Sequence, residues 1–574
     1  MTFGHQSPSE RHEQYTAGLR RATPRLLGMM DRGPDSITAG SLDRDHWAWK
    51  MRDGPIGMLQ MGLVPLAKLA TASDGASVLP AVGRLPEWIE LGVRETLSRQ
   101  HTNGAFDSVG PFTQDHGMTL AAAWLLATVG HRLDSELPGS LPESLVASMR
   151  SAVQRACDFG LKSDEDYAFI SNHQALFALA FHEAARFVQN DDLAAHADRL
   201  VAEIIEKQSP DGWYQEYNGP DPGYETLGLH YLAELLDERE PTGLRASLKK
   251  SVSYLTHFVH PDGSLGGVYG SRHTHLWVPG GLERLATWMP EAEAIVARVA
   301  HHLPNGSAVT LDSVDHHNLP PLMGGWVSAW LTTSDASDRA RAELPVDADR
   351  FDRHFEDAGT TVVVRPSYQA IVAGRKGGVG VVYGRESRRR LFHDAGYRAE
   401  TSGKAWTTQA LGGSTPTAEL AGEVPSLRID ARFEAARQQL VTPWNHLILR
   451  VLNLTFFRSV RLGALLRGMI VKRMITGRAE GPLRLERHIT YGETGVSFVD
   501  SIHNEGSSRA TRLRHCTSFL AFHMGSARYF TSGEVSSGGH PDLPQAATLA
   551  PGESMTVHFE VDASGPSQSP SPES

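Results

Sequence analysis

The chain has 574 residues, 40 % of them apolar and 21 % charged, which fits a globular protein of two or three domains and excludes a disordered chain. Its net charge of −11 excludes attraction of nucleic acid or an anionic membrane by the global field, so a polyanionic partner needs a local basic patch. Two cysteines, Cys157 and Cys516, lie far apart and form neither a disulfide framework nor a zinc-binding spacing.

The N-terminal stretch "MTFGHQSPSERHEQYTAGLRR" lacks the apolar core of a secretory signal, and no run of about eighteen apolar residues suggests a membrane span. The expected location is therefore the cytoplasm, with the periplasm or export by an unrecognised route as the alternative. Residues 1–40 are expected to form an N-terminal arm, partly disordered. "DRDHWAWKMRDGP" then sets Trp47 and Trp49 beside His46, Lys50 and Arg52. Aromatic faces near cations suit an acidic sugar. A clamp against the following helices suits a tryptophan pair in an arm somewhat better.

From Pro55 to Leu331 the pattern is helical. Segments such as "SLVASMRSAVQRACDFGL", "SNHQALFALAFHEAARFV" and "YETLGLHYLAELLDE" repeat apolar residues at three- and four-residue intervals. Gly, Pro, Asp and Asn punctuate them. The punctuation recurs: "HTNGAFDSVGPF" at His101, "SPDGWYQEYNGP" at Ser209 and "HPDGSLGGVYGS" at His260 share one form, with a weaker copy near Lys162. Their spacing of roughly fifty residues is that of a helical hairpin plus its loop, and it predicts a helical repeat array over 41–333, either an open solenoid or a toroid. In a toroid, loops of one type gather at one mouth.

Those loops hold the candidate chemistry. Asn172 and His173 stand at a helix start, with Ser171 or Asn172 available as N-cap, where an anion is stabilised. On this motif alone, an N-cap followed by an exposed histidine explains the pair better. Asp221, Pro222 and Gly223 open the next helix, which puts Tyr224 in its first turn and Tyr231 two turns later on the core side. A phenol near cations serves as general base or acid. Trp213 and Tyr217 crowd the same loop. Arg272 can pair with a carboxylate in bidentate fashion, or with Glu283. His273 and His275 make a His-x-His pair without a third metal ligand.

Residues 334–350, charged and rich in Ala and Asp, are expected to be a linker. Over 351–562 short β-branched and aromatic runs such as "TTVVVRPSYQAIVAG" and "GVSFVDSIHN" predict an antiparallel β-sandwich. "LILRVLNLTFFRSVRLGALLRGMIVKRMI" within it is ambiguous between strand and helix. Residues 563–574 read as a disordered tail. The expected fold is thus multidomain α + β, a helical repeat array followed by an antiparallel β-sandwich.

No Gly-x-Ser-x-Gly elbow, P-loop or dinucleotide fingerprint is present. Asn, His, Tyr and Arg on equivalent loops fit one reaction class, proton abstraction α to a uronate carboxylate. Asn172, His173 and Arg272 would neutralise the carboxylate and Tyr224 would take the C5 proton. The motifs "NHQA", "GWYQEYNGPDPGY", "DGSLGGVYGSRHT" and "DAGTTVVVRPSYQAIVAGRKGG" resemble heparinase II/III-like polysaccharide lyases, in particular the branch found in bacterial polysaccharide gene clusters. The resemblance implies a multidomain fold with an incomplete (α/α) toroid before the antiparallel β-sandwich, and β-elimination at a uronic acid glycoside, with Tyr224, His173, Asn172 and His273 catalytic and Arg272 on the substrate. Trp213, Tyr217, Trp47, Trp49 and His116 are further candidate substrate-binding residues, and an acidic polysaccharide or oligosaccharide is the expected partner. Two departures stand out. Relatives in this branch read Ser-Arg-Asn-Thr where this chain has Ser271, Arg272, His273 and Thr274. The region that is His-rich in many relatives has only His393 and Asp394 here. No cofactor or metal is expected, a structural divalent cation in the β domain being left open. A uronyl C5-epimerase using His273 or His230 as second proton donor, and a non-catalytic glycan-binding protein, are the alternatives.

Overall fold

In the computed structural model the described residues are 4–165, 169–217, 219–334, 337–436, 442–459, 462–463, 465, 479–517 and 547–563. Burial divides the helices into two kinds. His116–Glu136, Ser171–Val188, Pro222–Glu238 and Leu319–Thr333 are buried nearly all round. Glu143–Gly160, Asp191–Glu206 and Leu244–Leu255 bury one stripe only. The two kinds alternate along the chain, giving an inner and an outer layer of antiparallel hairpins. This is an incomplete (α/α) toroid.

Residues 1–40, expected to be a partly disordered arm, instead begin with a long helix, Pro8–Met29. Ser7 and Glu10 form a capping box at its start. Its buried Arg11 donates to Glu283 and to Glu293 at 2.7–3.0 Å, and the Tyr15 hydroxyl donates to Glu283 at 2.8 Å. Trp330 Nε1 donates to Thr16 Oγ1 at 3.0 Å. The first helix is thus part of the toroid wall, and Glu283 is the partner of Arg11 rather than of Arg272.

The repeated loops share one hydrogen-bond pattern. The amides of His101, Ser209 and His260 donate to the carbonyls of Ala105, Trp213 and Ser264, four residues on. Those of Gly104, Gly212 and Gly263 donate back to His101, Ser209 and His260. All three glycines have positive φ, and a Cβ on Gly104 or Gly212 would strike the Arg155 or Lys250 carbonyl of the following outer helix. The turn residue is therefore fixed by both backbone conformation and close packing.

Beyond the toroid, Phe351–Phe355, Thr360–Val364, Tyr368–Ala373, Val379–Gly384 and Arg389–Asp394 form a five-stranded antiparallel sheet in chain order. The second sheet runs Ala547–Leu549, Ala510–His515, Tyr397–Thr401, Lys404–Thr407, Ser426–Ala435, Glu480–Tyr491, Gly495–Asn504, Ser554–Asp562, and Ser414–Glu419 pairs with Ser426–Ala435. The first sheet is a middle layer. Val362, Ile371 and Val381 join the toroid core, while Val363, Val372 and Val382 join the core between the sheets. Strands buried on both faces lose their period-two signature. The outer sheet keeps it, as in the strict alternation of Glu480–Tyr491.

The last toroid helix ends at Thr333 and the first strand starts at Phe351. The segment between them is pinned: Arg339 Nη1 donates to the Glu283 carbonyl at 3.3 Å, Ala342 N to the Pro290 carbonyl at 3.0 Å, and Arg298 to Asp347 at 2.8 Å. Of the ambiguous segment, Pro443–Leu454 is helical. From residue 564 on, the expected tail lies outside the described residues, as does the strand expected after Thr517. No described helix is long and apolar enough to cross a membrane.

Candidate active site

Three segments meet at one mouth of the toroid: residues 170–173, 215–224 and 268–274. The helix Ser171–Val188 begins after Ile170, not after a side-chain cap. Its exposed N–H groups are met from outside. Ser171 N donates to the Gln215 carbonyl at 2.9 Å, and Asn172 N donates to Glu216 Oε1 at 3.0 Å. Asn172 Nδ2 donates to the other oxygen of the same carboxylate at 2.7 Å. The amide expected to face substrate is therefore committed to Glu216, which is fully buried. Burial raises the pKa of Glu216, against the pull of Arg272 and the two Asn172 donors.

Asp221 organises the next segment. It caps the helix Pro222–Glu238 by accepting from Tyr224 N at 3.0 Å. It also accepts from Arg272 N at 2.7 Å and Thr274 Oγ1 at 2.9 Å, which locks the 271–274 loop onto the helix start. Gly223 and Gly270 permit the approach. A Cβ on either would come within 2.6 Å of Thr274 Oγ1 or Asp221 Oδ2. Burial raises the pKa of Asp221 as well.

The loop so fixed delivers Arg272. Its guanidinium carbon lies 3.9 Å from the Tyr224 ring centroid and 4.2 Å from that of Tyr217, so the cation rests against two phenol rings. Nη1 is 3.8 Å from Glu216 Oε2. Burial alone would lower the pKa of Arg272, but Tyr224, Glu216, Tyr217 and Asp221 outweigh it and raise it, so the group stays charged. Burial raises the Tyr217 phenol, opposed by Arg272. Tyr217 has φ +52° and His273 φ +59°, uncommon for residues with a Cβ, and Phe112 and Gln114 in the first repeat loop share the feature. His173 is about one-third exposed, and its Nδ1 lies 3.0 Å from Glu165 Oε1.

The other expected residues fall elsewhere. His273 packs onto Lys376, whose Nζ also donates to the carbonyls of Val268, at 2.6 Å, and Gly270. Burial, then Lys376, holds the His273 imidazole well below its ordinary range, and burial lowers Lys376 itself. Lys376 stands in the turn Gly374–Lys376 between two strands of the first sheet and so ties that sheet to the 268–274 loop. Trp213 is buried. Trp47 Nε1 donates to the Met29 carbonyl at 2.7 Å, as a clamp on the first helix. Trp49 is exposed. No hydrogen bond or ring contact among the described residues joins these three to Arg272. His116 lies 2.9 Å from Ser163 Oγ through Nδ1, and its ring meets Phe177 edge-on, with His173 on the same phenylalanine.

The sequence reading missed Glu216, Glu165 and Lys376. A charge inside the aromatic, glycine-rich "YQEYNG" was the available signal for Glu216. Nothing local marks Lys376, whose contacts are over a hundred residues away. In the β region Asp394 is spent on a buried cluster. It accepts from Arg487 at 2.5 Å and lies 2.9 Å from His515 Nε2, and Arg487 with His515 outweighs burial to depress its pKa. Among the described residues, the donors that could share a cation are Asp45, His316 and His317, whose ligand atoms lie within 4.8 Å of one another. Arg52 Nη2 sits 2.8 Å from His317 Nε2, so a guanidinium already occupies the position a cation would take.

No family model and no curated protein sequence matches the chain. Its structure is similar to that of a Paenibacillus xanthan lyase, with TM-score 0.52 and 11 % identity over 88 % of this chain and 46 % of that one. It is likewise similar to the Streptomyces coelicolor A3 chondroitin AC lyase in complex with chondroitin sulphate, with TM-score 0.51 and 13 % identity over 87 % of this chain and 67 % of that one. A heparinase III matches with TM-score 0.50 and 10 % identity, over 84 % and 75 % of the two chains. The chain thus spans less than half the length of the xanthan lyase. It has the toroid-plus-β fold of polysaccharide lyases.

Proposed function

We propose that this chain is a polysaccharide lyase that cleaves a uronic-acid-containing glycan by β-elimination. The observation that carries the reading is the charged Arg272 guanidinium 3.9 Å from the Tyr224 ring, locked there by Asp221. A fixed buried cation stabilises negative charge on a neighbouring phenol oxygen, and so prepares Tyr224 as a base. Tyr224 in its phenolate form takes the C5 proton, and the C5–H electron pair moves toward the carboxylate. The pair then forms the C4–C5 double bond as the C4–O4 bond breaks. The tyrosine proton passes to the departing O4, which restores the phenolate. His173, its Nδ1 turned to Glu165, can donate from its other ring nitrogen to the uronate carboxylate when both nitrogens carry a proton. The likeness in fold to three lyases, one with chondroitin sulphate bound, supports the substrate class.

The epimerase alternative needs a second proton donor across the sugar ring. His230 is buried within the helices beside Gly280 and Gly325, where burial lowers its pKa to about 4. His273 is engaged by Lys376. Neither position favours epimerisation.

The test is incubation with a panel of uronate polymers, read by the ultraviolet absorbance of the unsaturated product and by C5 deuterium exchange in heavy water. Tyr224→Phe keeps the ring against Arg272 and removes the hydroxyl. Its turnover is expected to fall on the order of 10² to 10⁴ with KM little changed. A variant with near-full activity would overturn the role of Tyr224. Exchange without absorbance would point to the epimerase, and binding with neither to a glycan-binding protein.

A further inference from the structure

The helix Pro443–Leu454 is built inside out. Its sequence, PWNHLILRVLNL, is strongly amphipathic, yet none of its residues is buried. At 100° per residue Trp444, Leu447, Ile448, Val451 and Leu454 share one side. Each of the five is more than half exposed, with Trp444 at 74 %. The half-buried positions are Leu452 and Asn453 on another side. Arg450 reaches the toroid, where Nη1 donates to Asp53 at 2.6 Å. The turn that follows is anchored by buried Phe457, by Arg458 over the Phe112 ring at 4.5 Å, and by Gln114 Nε2 on the Arg458 carbonyl at 3.4 Å. The helix is therefore held to the protein mainly by polar groups and by its end, with its large apolar side chains pointing away.

The charge around this helix runs against that of the molecule. The chain carries −11 overall, yet no Asp or Glu occurs between Glu434 and Glu480. The same stretch holds Arg437, Arg450, Arg458, Arg461, Arg467, Lys472, Arg473 and Arg478. We propose that the helix Pro443–Leu454 with its Phe456–Arg458 turn is a membrane-surface element, which lays its apolar side on a bilayer of anionic phospholipid. The positive charge of the segment favours anionic headgroups, while the indole and alkyl groups enter the acyl boundary. Two other occupants fit less well. A second copy packed helix on helix about a two-fold axis would bring together two segments rich in cations and free of carboxylates. An acidic glycan would use the cations but not five exposed apolar side chains.

The experiment is co-sedimentation of the full chain with vesicles of phosphatidylcholine alone or with about one-third phosphatidylserine. Binding is expected to the anionic vesicles only, and to weaken as salt rises. The triple variant Trp444→Ser, Ile448→Ser, Val451→Ser should keep the parent melting temperature, since these residues are exposed. Its partition should drop on the order of tenfold or more, because three large apolar groups no longer leave water. Failure of the parent to bind anionic vesicles, or equal binding by parent and variant, overturns the proposal. So does concentration-dependent dimerisation of the parent that the variant abolishes, which would assign the face to self-association. None of these readouts depends on turnover, so they stand apart from the lyase assay.

Discussion

At the scale of single residues the site turns on the shape of one cation. The Arg272 guanidinium lies over both the Tyr217 and the Tyr224 ring, and an ammonium on a flexible stem covers less of the two faces. Arg272→Lys keeps the charge and loses the two stacked faces, each worth about 1–2 kcal/mol when desolvated. The variant is expected to unfold at lower denaturant concentration, with a stability loss of about 2 kcal/mol. Its turnover should fall at least on the order of tenfold, because the charge beside Tyr224 is no longer fixed. Denaturation and kinetics on the same preparation check both. A lysine variant equal to the parent in both would mean that only net charge matters. Arg272, Tyr217 and Tyr224 were legible in sequence because aromatic and cationic residues clustered in loops that repeat. The commitment of Asn172 to Glu216 was not, since the two lie 44 residues apart and a buried carboxylate leaves no periodic trace.

At the scale of elements, Asp221 joins a helix start to a loop. Asp221→Ala removes an N-cap, worth about 1 kcal/mol, and strands the buried donors Arg272 N and Thr274 Oγ1 at about 1–3 kcal/mol each. A loss of about 3 kcal/mol or more is expected by denaturant melts, with turnover falling alongside as Arg272 is released. Asp221→Asn should lie between, because its oxygen can still cap Tyr224 N. Lys376 makes the comparable link from the first sheet. Lys376→Met leaves the Val268 and Gly270 carbonyls without that donor, and it should lower turnover although the residue lies outside the toroid. Unchanged turnover would confine Lys376 to packing. The strands of that sheet were only partly readable, because Val362 and Val363 are both buried, one on each core. The first helix was readable in principle from its Ser7–Glu10 capping box. The Arg and Glu residues interspersed along Pro8–Met29 hid it, Arg11 above all, whose partners lie beyond residue 280.

At the scale of the whole molecule, titration reports how the interior was built. His230 is buried and its pKa is lowered to about 4 by burial, while in the unfolded chain it sits near 6.5. Between those values the unfolded state binds one proton more than the folded state. Stability from this group is therefore complete above pH 6.5 and is lost as pH falls toward 4, by about 3 kcal/mol in all. The buried carboxylates Glu216, Asp221 and Glu225, with raised pKa values, act in the opposite sense. The clean measurement is thus a difference. His230→Gln should reduce the slope of unfolding free energy against pH by about 1.4 kcal/mol per unit between pH 4 and 6.5. An unchanged slope would mean that His230 is not held neutral. The ring closure at Arg11 has a further consequence, in time rather than in energy. Glu283 and Glu293 leave the ribosome 272 and 282 residues after Arg11. At about 5–20 residues per second the first helix waits roughly 15–55 s before its wall is complete. Through that interval the helix has only its early neighbours, such as Trp47, and the side that later meets Trp330 stays open to solvent or to a chaperone.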